Sequence, residues 1–307
     1  MHTAFISHPD TLLHVMDGQH PESPARIAAI KDRLMAARLY DHLQIYDAPL
    51  ATDEQLTRVH TPAYIQHIRA VAPQAGIVRL DQDTAMGPMT LSATLHAAGA
   101  LVLATDLVIG GAAPNAFCCV RPPGHHAGKS SAAGFCIFNN VAVGVAHAIA
   151  QYDLERVAII DFDVHHGDGT EDIFRDDPRV MLCSTFQHPY YPYKGAETRS
   201  ERMVNVPLPA GTDGNSYRAA VEREFAPALE RFKPQMVFVS AGFDAHDQDP
   251  LADFRLVRDD YVWITEFILQ VARKHAQGRV VSTLEGGYDL VSLADSVTAH
   301  VRTLAGL

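Results

Sequence analysis

Cysteine is scarce in this chain: four among 307 residues, Cys118, Cys119, Cys136 and Cys183, with no C-x-x-C spacing. That argues against a disulfide framework or a cysteine-built metal module, and buried reduced thiols are the expectation. Basic residues are also short. Twenty-five Lys and Arg face 36 Asp and Glu, a net charge of −11, which excludes general nucleic-acid or anionic-membrane binding and suits a soluble protein that tolerates cationic substrates. Charged residues make up only 20%, too few for a disordered chain, while the 47% hydrophobic content supports a sizeable core. No uninterrupted apolar run reaches membrane-spanning length, since the nearest, around Ala97–Ile109, is broken by Asp106. The N-terminus shows no basic region followed by an apolar stretch, so no signal peptide and a cytoplasmic location are expected. No Pro/Gly/Ser-rich linker, repeat or low-complexity block divides the chain, so residues 1–307 read as one domain.

What the chain does have is a regular alternation. Short apolar, β-branched runs at Thr3–Ser7, Leu43–Tyr46, Phe117–Val120, Val157–Ile160, Val180–Ser184, Met203–Val206, Met236–Ser240 and Arg279–Leu284 read as strands. Helical stretches at Thr90–Ile109, Val141–Ala150, Tyr217–Phe232, Asp260–His275 and Leu290–Leu304 lie among them. Ser23-Pro24 and Thr61-Pro62 each open a further helix, the first residue as N-cap and the proline at the first helical position. Ile27, Ile30 and Leu34 form the buried stripe of the first of these. Such alternation implies right-handed crossovers and a mostly parallel sheet with helices on both faces, an α/β fold.

The chemistry-bearing residues follow strand ends. Val157–Ile160 runs straight into D-F-D-V-H-H-G-D-G-T, five ionisable residues within eight positions and too polar for a core. R-P-P-G-H-H-A follows the strand at 117–120, A-G-F-D-A-H the strand at 236–240, and E-G-G-Y the strand at 279–284. In a parallel sheet these carboxyl ends share one edge, where ligands collect, so His125, His126, Asp163, His165, Asp244 and Tyr288 can converge. Any one of these clusters could be an ordinary polar loop; their joint placement is what points to a site.

Asp163, His165 and Asp244 give a divalent ion two carboxylates and one imidazole, with room left for water and a substrate oxygen. Oxygen-rich ligation suits Fe²⁺ or Mn²⁺ as well as zinc. A histidine within reach can move the proton, and a tyrosine hydroxyl can donate to an oxyanion. The set reads as metal-assisted amide hydrolysis.

Together, H-P-E-S-P-A-R-I at 20–27, R-P-P-G-H-H-A, D-F-D-V-H-H-G-D-G-T, A-G-F-D-A-H and E-G-G-Y-D-L resemble the signature set of the zinc-dependent histone deacetylase family, nearest its class II branch. That family includes bacterial deacetylase-like amidohydrolases and acetylpolyamine amidohydrolases, and the motifs run from about residue 20 to residue 289. The resemblance implies an arginase-like three-layer α/β/α sandwich around an eight-stranded parallel sheet. It implies one zinc ion (Zn2+, with Fe2+ as the alternative) on Asp163, His165 and Asp244, and a structural potassium ion (K+) near Asp161, Asp163 and His165, with Ser184 contributing. His126 is then the general base and acid and His125 its electrostatic partner. Asp161 and Asp168 orient the two histidines, and Tyr288, which is histidine in the weakly active class IIa enzymes, donates to the oxyanion. Gly134, Phe135 and Tyr191 line an acyl-lysine tunnel, although the family usually has Phe where Tyr191 falls. Arg26 matches an arginine behind the metal associated with acetate release. Leu251 occupies a gatekeeper position where the polyamine-preferring eukaryotic branch carries glutamate.

The implied activity is removal of acyl groups from the ε-amine of lysine in proteins or peptides. The alternative is hydrolysis of acetylpolyamines or other small acylated amines by the same chemistry. A non-catalytic acyl-binding module fits poorly with a complete metal, base and tyrosine set. An arginase-type dimanganese site lacks its extra aspartates, because His165 is followed by His166-Gly167-Asp168 and Asp244 by Ala245-His246. His188 and His246 match no ligand role. Cys136, beside the tunnel, is read as inert through burial.

Overall fold

The structure, a computed structural model, describes residues 2–16, 18 and 20–307. Its strands in chain order are β1 (Ala4–Ser7), β2 (Gln44–Asp47), β3 (Val78–Arg79), β4 (Ala85–Met86), β5 (Asn115–Cys118), β6 (Val157–Asp161), β7 (Val180–Gln187), β8 (Met203–Leu208), β9 (Met236–Ala241) and β10 (Val280–Leu284). Its α-helices are α1 (Ala25–Ala36), α2 (Asp53–Thr57), α3 (Pro62–Val71), α4 (Thr90–Ile109), α5 (Asn140–Tyr152), α6 (Asp168–Phe174), α7 (Gly214–Phe232), α8 (Arg258–His275) and α9 (Leu290–Leu304).

Eight strands form one sheet in the order β2-β1-β5-β10-β9-β6-β7-β8, and every pairing in it is parallel. Each of the eight overlaps a strand expected from sequence. β5 begins two residues earlier than the apolar run and ends at Cys118, and β7 runs three residues beyond Ser184. All residues of β5, β6, β9 and β10 are buried, as strands covered on both faces must be.

Alternating side chains divide between two cores. Val157 and Ile159 of β6 pack with α3, α4 and α5 on one face, while Ala158 and Ile160 pack with α1, α7, α8 and α9 on the other. That is the expected three-layer arrangement. Ile27, Ile30 and Leu34 of α1 are fully buried in the second core. Helix α4 is long and apolar enough to cross a membrane, but 72% of its apolar window is buried within the protein, where it packs against β5, β1 and α5.

Two local readings need correction or addition. Thr61 caps α3 through its side chain, accepting from the Tyr64 N–H at 3.3 Å, with Pro62 as first helical residue. Ser23 makes no such cap: Pro24 is already helical at φ −54°, ψ −28°, and α1 begins at Ala25 without a side-chain cap bond. The β3–β4 hairpin and the five-residue helix α2, closed by a Thr52/Gln55 capping box, were too short to show in hydrophobic periodicity.

Candidate active site

Strands β5, β10, β9 and β6 are consecutive neighbours in the middle of the sheet. The four polar clusters identified from sequence leave the carboxyl ends of these four strands, so the topology alone brings them together.

At the bottom of the site, Asp163, His165 and Asp244 each offer a ligand atom within 4.8 Å of the others. The His165 Nδ1 lies 3.1 Å from Asp163 Oδ1 and 3.2 Å from Asp244 Oδ2. Both carboxylates are steered by backbone amides, Asp163 Oδ2 by Gly286 N–H at 2.9 Å and Asp244 Oδ1 by Val164 N–H at 3.0 Å. Gly286 has no alternative here: a Cβ would stand 2.0 Å from Asp244 Oδ2 and 2.7 Å from Asp163 Oδ2. Burial opposes a charged His165, but hydrogen bonds to Asp163 and Asp244 hold its imidazole up at about 10. The two carboxylates face the same ring nitrogen, and an acidic, oxygen-rich donor set of this kind fits a divalent ion there.

Above it sit the two histidines of the β5 loop. His125 Nδ1 is 3.0 Å from Asp161 Oδ2, and His126 Nδ1 is 2.9 Å from Asp168 Oδ1 at the start of α6. Their environments differ. Burial disfavours a charged His125, yet Asp163 and Asp161 outweigh it and raise its pKa well above the ordinary value. Burial and the adjacent charge on His125 push His126 down to about 4. Asp168 is itself held ionised, burial being overcome by His126 and by Lys194, whose Nζ donates to Asp168 Oδ2 at 2.8 Å. An ionised carboxylate only accepts, so a neutral His126 carries its proton on Nδ1 and presents the Nε2 lone pair to the site.

A cavity of about 270 Å³ opens over these groups, lined by His125, His126, His165 and Tyr288 and also by Gly134, Phe135, Tyr191 and Leu251. Gly134 has φ +54°, and a Cβ there would lie 2.3 Å from His126 Cδ2, so the wall beside this histidine can only be glycine. Tyr191 meets the His126 ring edge-on at 5.2 Å, while Tyr190 stacks on His165 at 5.8 Å and also lines the cavity. Tyr288 meets Phe135 edge-on at 5.9 Å. Burial raises the Tyr288 hydroxyl well above its usual pKa, so it remains a donor.

Arg26 is not part of the cavity wall. It is fully buried, donates from Nε to Gly287 O at 2.6 Å and from Nη2 to Glu285 O at 2.5 Å, and lies 4.9 Å from the Tyr288 ring centroid. Ser184 is paired in register with Asp161, but its hydroxyl is 3.2 Å from His166 Nδ1. His188 contributes its backbone N–H to Leu208 O, and His246 stacks parallel to Tyr261. All four cysteines are free and buried.

Several working residues were not singled out from sequence. Glu22 binds Arg121 through both carboxylate oxygens and Arg26 at 3.2 Å, tying the 20–27 loop beneath the site. Glu285 accepts from Gly124 and His125 N–H at 2.7 and 3.2 Å, and burial lifts its carboxyl to about 7. Its signal was available: an acidic residue directly after a fully buried strand. Asp83, from the unanticipated β3–β4 hairpin, lines the mouth and accepts from Gly134 N–H at 3.1 Å.

Two other features compete on size or composition. A concavity of about 720 Å³ lies between α1, α8 and α9, but it gathers surface arginines and acids and holds none of the grouped metal ligands. His8, Asp10 and His96 also bring ligand atoms within 4.8 Å. Their imidazoles, however, stack at 3.4 Å and 13°, so in-plane lone pairs run side by side instead of converging. His8 Nδ1 is already occupied by Asp10 N–H, and His96 Nδ1 by Ala48 O.

Comparison with known proteins agrees with this geometry. The family model described as "Histone deacetylase domain" matches residues 20–304. The chain is 40% identical over 297 residues to the histone deacetylase-like amidohydrolase of Pseudomonas aeruginosa, covering 94% of this chain and 77% of that protein. It is 35% identical to a probable deacetylase of Archaeoglobus fulgidus, covering 94% and 82%. It is also 35% identical to the human polyamine deacetylase HDAC10, covering all of this chain but only 48% of that longer protein. Among solved structures, the HDA15 HD domain superposes with a TM-score of 0.92 at 31% identity, over 100% of this chain and 90% of the other.

Proposed function

The chain belongs to the histone deacetylase family and is a hydrolase acting on amides, and we propose that it is a zinc-dependent deacylase of lysine side chains in peptides or proteins. The observation that carries this reading is the placement of His126, bonded through Nδ1 to Asp168 and lining the cavity above Asp163, His165 and Asp244.

Asp163, His165 and Asp244 would hold one divalent ion, whose chemistry is to polarise the amide carbonyl and make water easier to deprotonate. His126 takes the proton of the attacking water on Nε2 and passes it to the leaving amine. Asp168 keeps that ring in the tautomer the task requires. His125, charged between Asp161 and Asp163, keeps His126 from being protonated at rest. The Tyr288 hydroxyl donates to the oxyanion as the carbonyl becomes tetrahedral. Phe135 and Tyr191 flank the cavity as two aromatic walls, suited to an unbranched alkyl stem. Arg26 acts on this reading by fixing the Gly286–Tyr288 loop from behind. A structural potassium ion beside Asp161 and a cytoplasmic location, consistent with four unpaired thiols, belong to the same proposal.

Leu251 at the mouth is apolar and offers nothing to a distal ammonium, which supports acyl-lysine over acetylpolyamine. One observation favours the second reading: the half-buried Asp83 carboxylate stands on the same rim and could pair with an ammonium group. A panel of acetyl-lysine and longer acyl-lysine peptides against acetylputrescine and acetylspermidine tests the choice. Higher kcat/KM on every polyamine than on any peptide would replace the first reading by the second.

A further inference from the structure

Two loops of the site meet on a single carboxylate. Asp249, in the segment between β9 and α8, is 7% exposed. Its Oδ1 accepts the N–H of Leu251 at 3.0 Å, and its Oδ2 accepts those of Tyr288 at 2.6 Å and Asp289 at 3.3 Å. Among the described residues no Lys, Arg or His pairs with it. A buried carboxylate without a counter-cation is costly unless backbone donors satisfy it. Here three donors do so, drawn from both loops, and the carboxylate brackets one against the other.

The β10–α9 loop needs such a bracket at this point. Its earlier residues are fastened otherwise, Gly286 N–H by Asp163 and the carbonyls of Glu285 and Gly287 by Arg26. Gly287 then adopts φ +117°, a conformation that glycine takes readily and other residues rarely do. Beyond it, Asp249 is the group that fixes the Tyr288 backbone, and α9 is capped only from Asp289 onward.

We propose that Asp249 is a positioning residue that sets Tyr288 and Leu251 relative to each other, so that the hydroxyl donor and the wall at the cavity mouth are placed as one unit. This rests on Tyr288 being the oxyanion donor, as assigned above. Substrate choice at the mouth and turnover at the floor are then linked through one side chain that touches neither substrate nor metal ligand.

The test is a double-mutant cycle on the full-length, metal-loaded protein, with an acetyl-lysine peptide and acetylspermidine as substrates. Asp249→Asn puts an amide donor against backbone donors, and kcat should fall about 10- to 100-fold, the scale of a misplaced catalytic group, with metal content unchanged. In the Tyr288→Phe background the same substitution should cost less than about three-fold, because the hydroxyl it positions is already gone. The ratio of kcat/KM between the two substrates should also move toward unity as Leu251 loses its anchor. Asp249→Glu, which keeps the charge but displaces it, should show the same pattern and serves if the asparagine variant does not fold. Equal losses in both Tyr288 backgrounds, or loss of metal from Asp249→Asn, would overturn the positioning role. An unimpaired Tyr288→Phe would overturn the oxyanion assignment and this inference with it, a result distinguishable from the first.

Discussion

The rings of His125 and His126 lie 4.0 Å apart, yet the pKa of one is pushed up and that of the other down. Sequence neighbours diverge because His125 faces two buried carboxylates, Asp161 and Asp163, whereas His126 has burial and a cation to contend with and one carboxylate in its favour. His126→Ala should keep its metal and lose about 10²- to 10⁴-fold in turnover, the range for a general acid–base group. Removing the cation in His125→Ala should raise the pKa of His126. Since the neutral form is the active one, the acid limb of kcat/KM should move to higher pH. A limb that stays in place would separate the two histidines functionally.

Elemental analysis should return about one zinc-class ion per chain, the count for three ligands around one open site. Asp163→Ala or Asp244→Ala should lose it, together with activity, because each leaves only one carboxylate and one imidazole. Two manganese ions per chain, both required for turnover, would contradict the mononuclear reading.

Tyr288→Phe deletes one hydroxyl and leaves Arg26 and Phe135 their ring. We expect kcat to drop about 10²- to 10³-fold with KM little changed, the signature of an interaction made only in the transition state.

Leu251→Glu should raise kcat/KM for acetylspermidine relative to an acyl-lysine peptide by about ten-fold, within the range for one ammonium–carboxylate contact at a partly solvated rim. If the unaltered protein already prefers the polyamine, Asp83→Asn should abolish that preference. Failure of both substitutions to change selectivity would remove the rim from the account of specificity.

Acid stability should report on His300. This ring is fully buried between Thr265 Oγ1 at 2.6 Å and Ser282 Oγ at 2.9 Å, and burial pushes it down to about 3. The unfolded chain takes up that proton near pH 6.5, so the folded state loses stability as pH falls below that value, at up to about 1.4 kcal/mol per pH unit. Above pH 6.5 the contribution is intact. His300→Asn should lower Tm at pH 7.5 but reduce the further drop between pH 7.5 and 5; an unchanged pH difference would show that another group governs acid unfolding.

The sheet was legible because most of its strands are short runs rich in apolar and β-branched residues, and the candidate site because polar clusters follow four of them directly. What escaped were interactions that periodicity cannot express. Asp83 sits on a hairpin of two-residue strands. Glu22 reads as part of a loop until two buried arginines are seen to close on it. Among the described residues Asp249 has no cationic partner, and its three amide donors come from residues 251, 288 and 289. Ser23 and Pro24 carried a strong capping pattern, but the helix begins at Ala25 with Pro24 in the cap position and no side-chain cap bond.

Arg26 and Gly287 are 261 positions apart in sequence and in direct contact in the fold. A ribosome therefore delivers the strap long before the loop it fastens. Through most of synthesis Arg26 and Glu22 have no β10–α9 loop to hold, and the tyrosine that completes the site is among the last residues of the sheet's connections to emerge. In a chain made from its N-terminus, the loop that closes over the candidate site therefore follows every strand of the sheet.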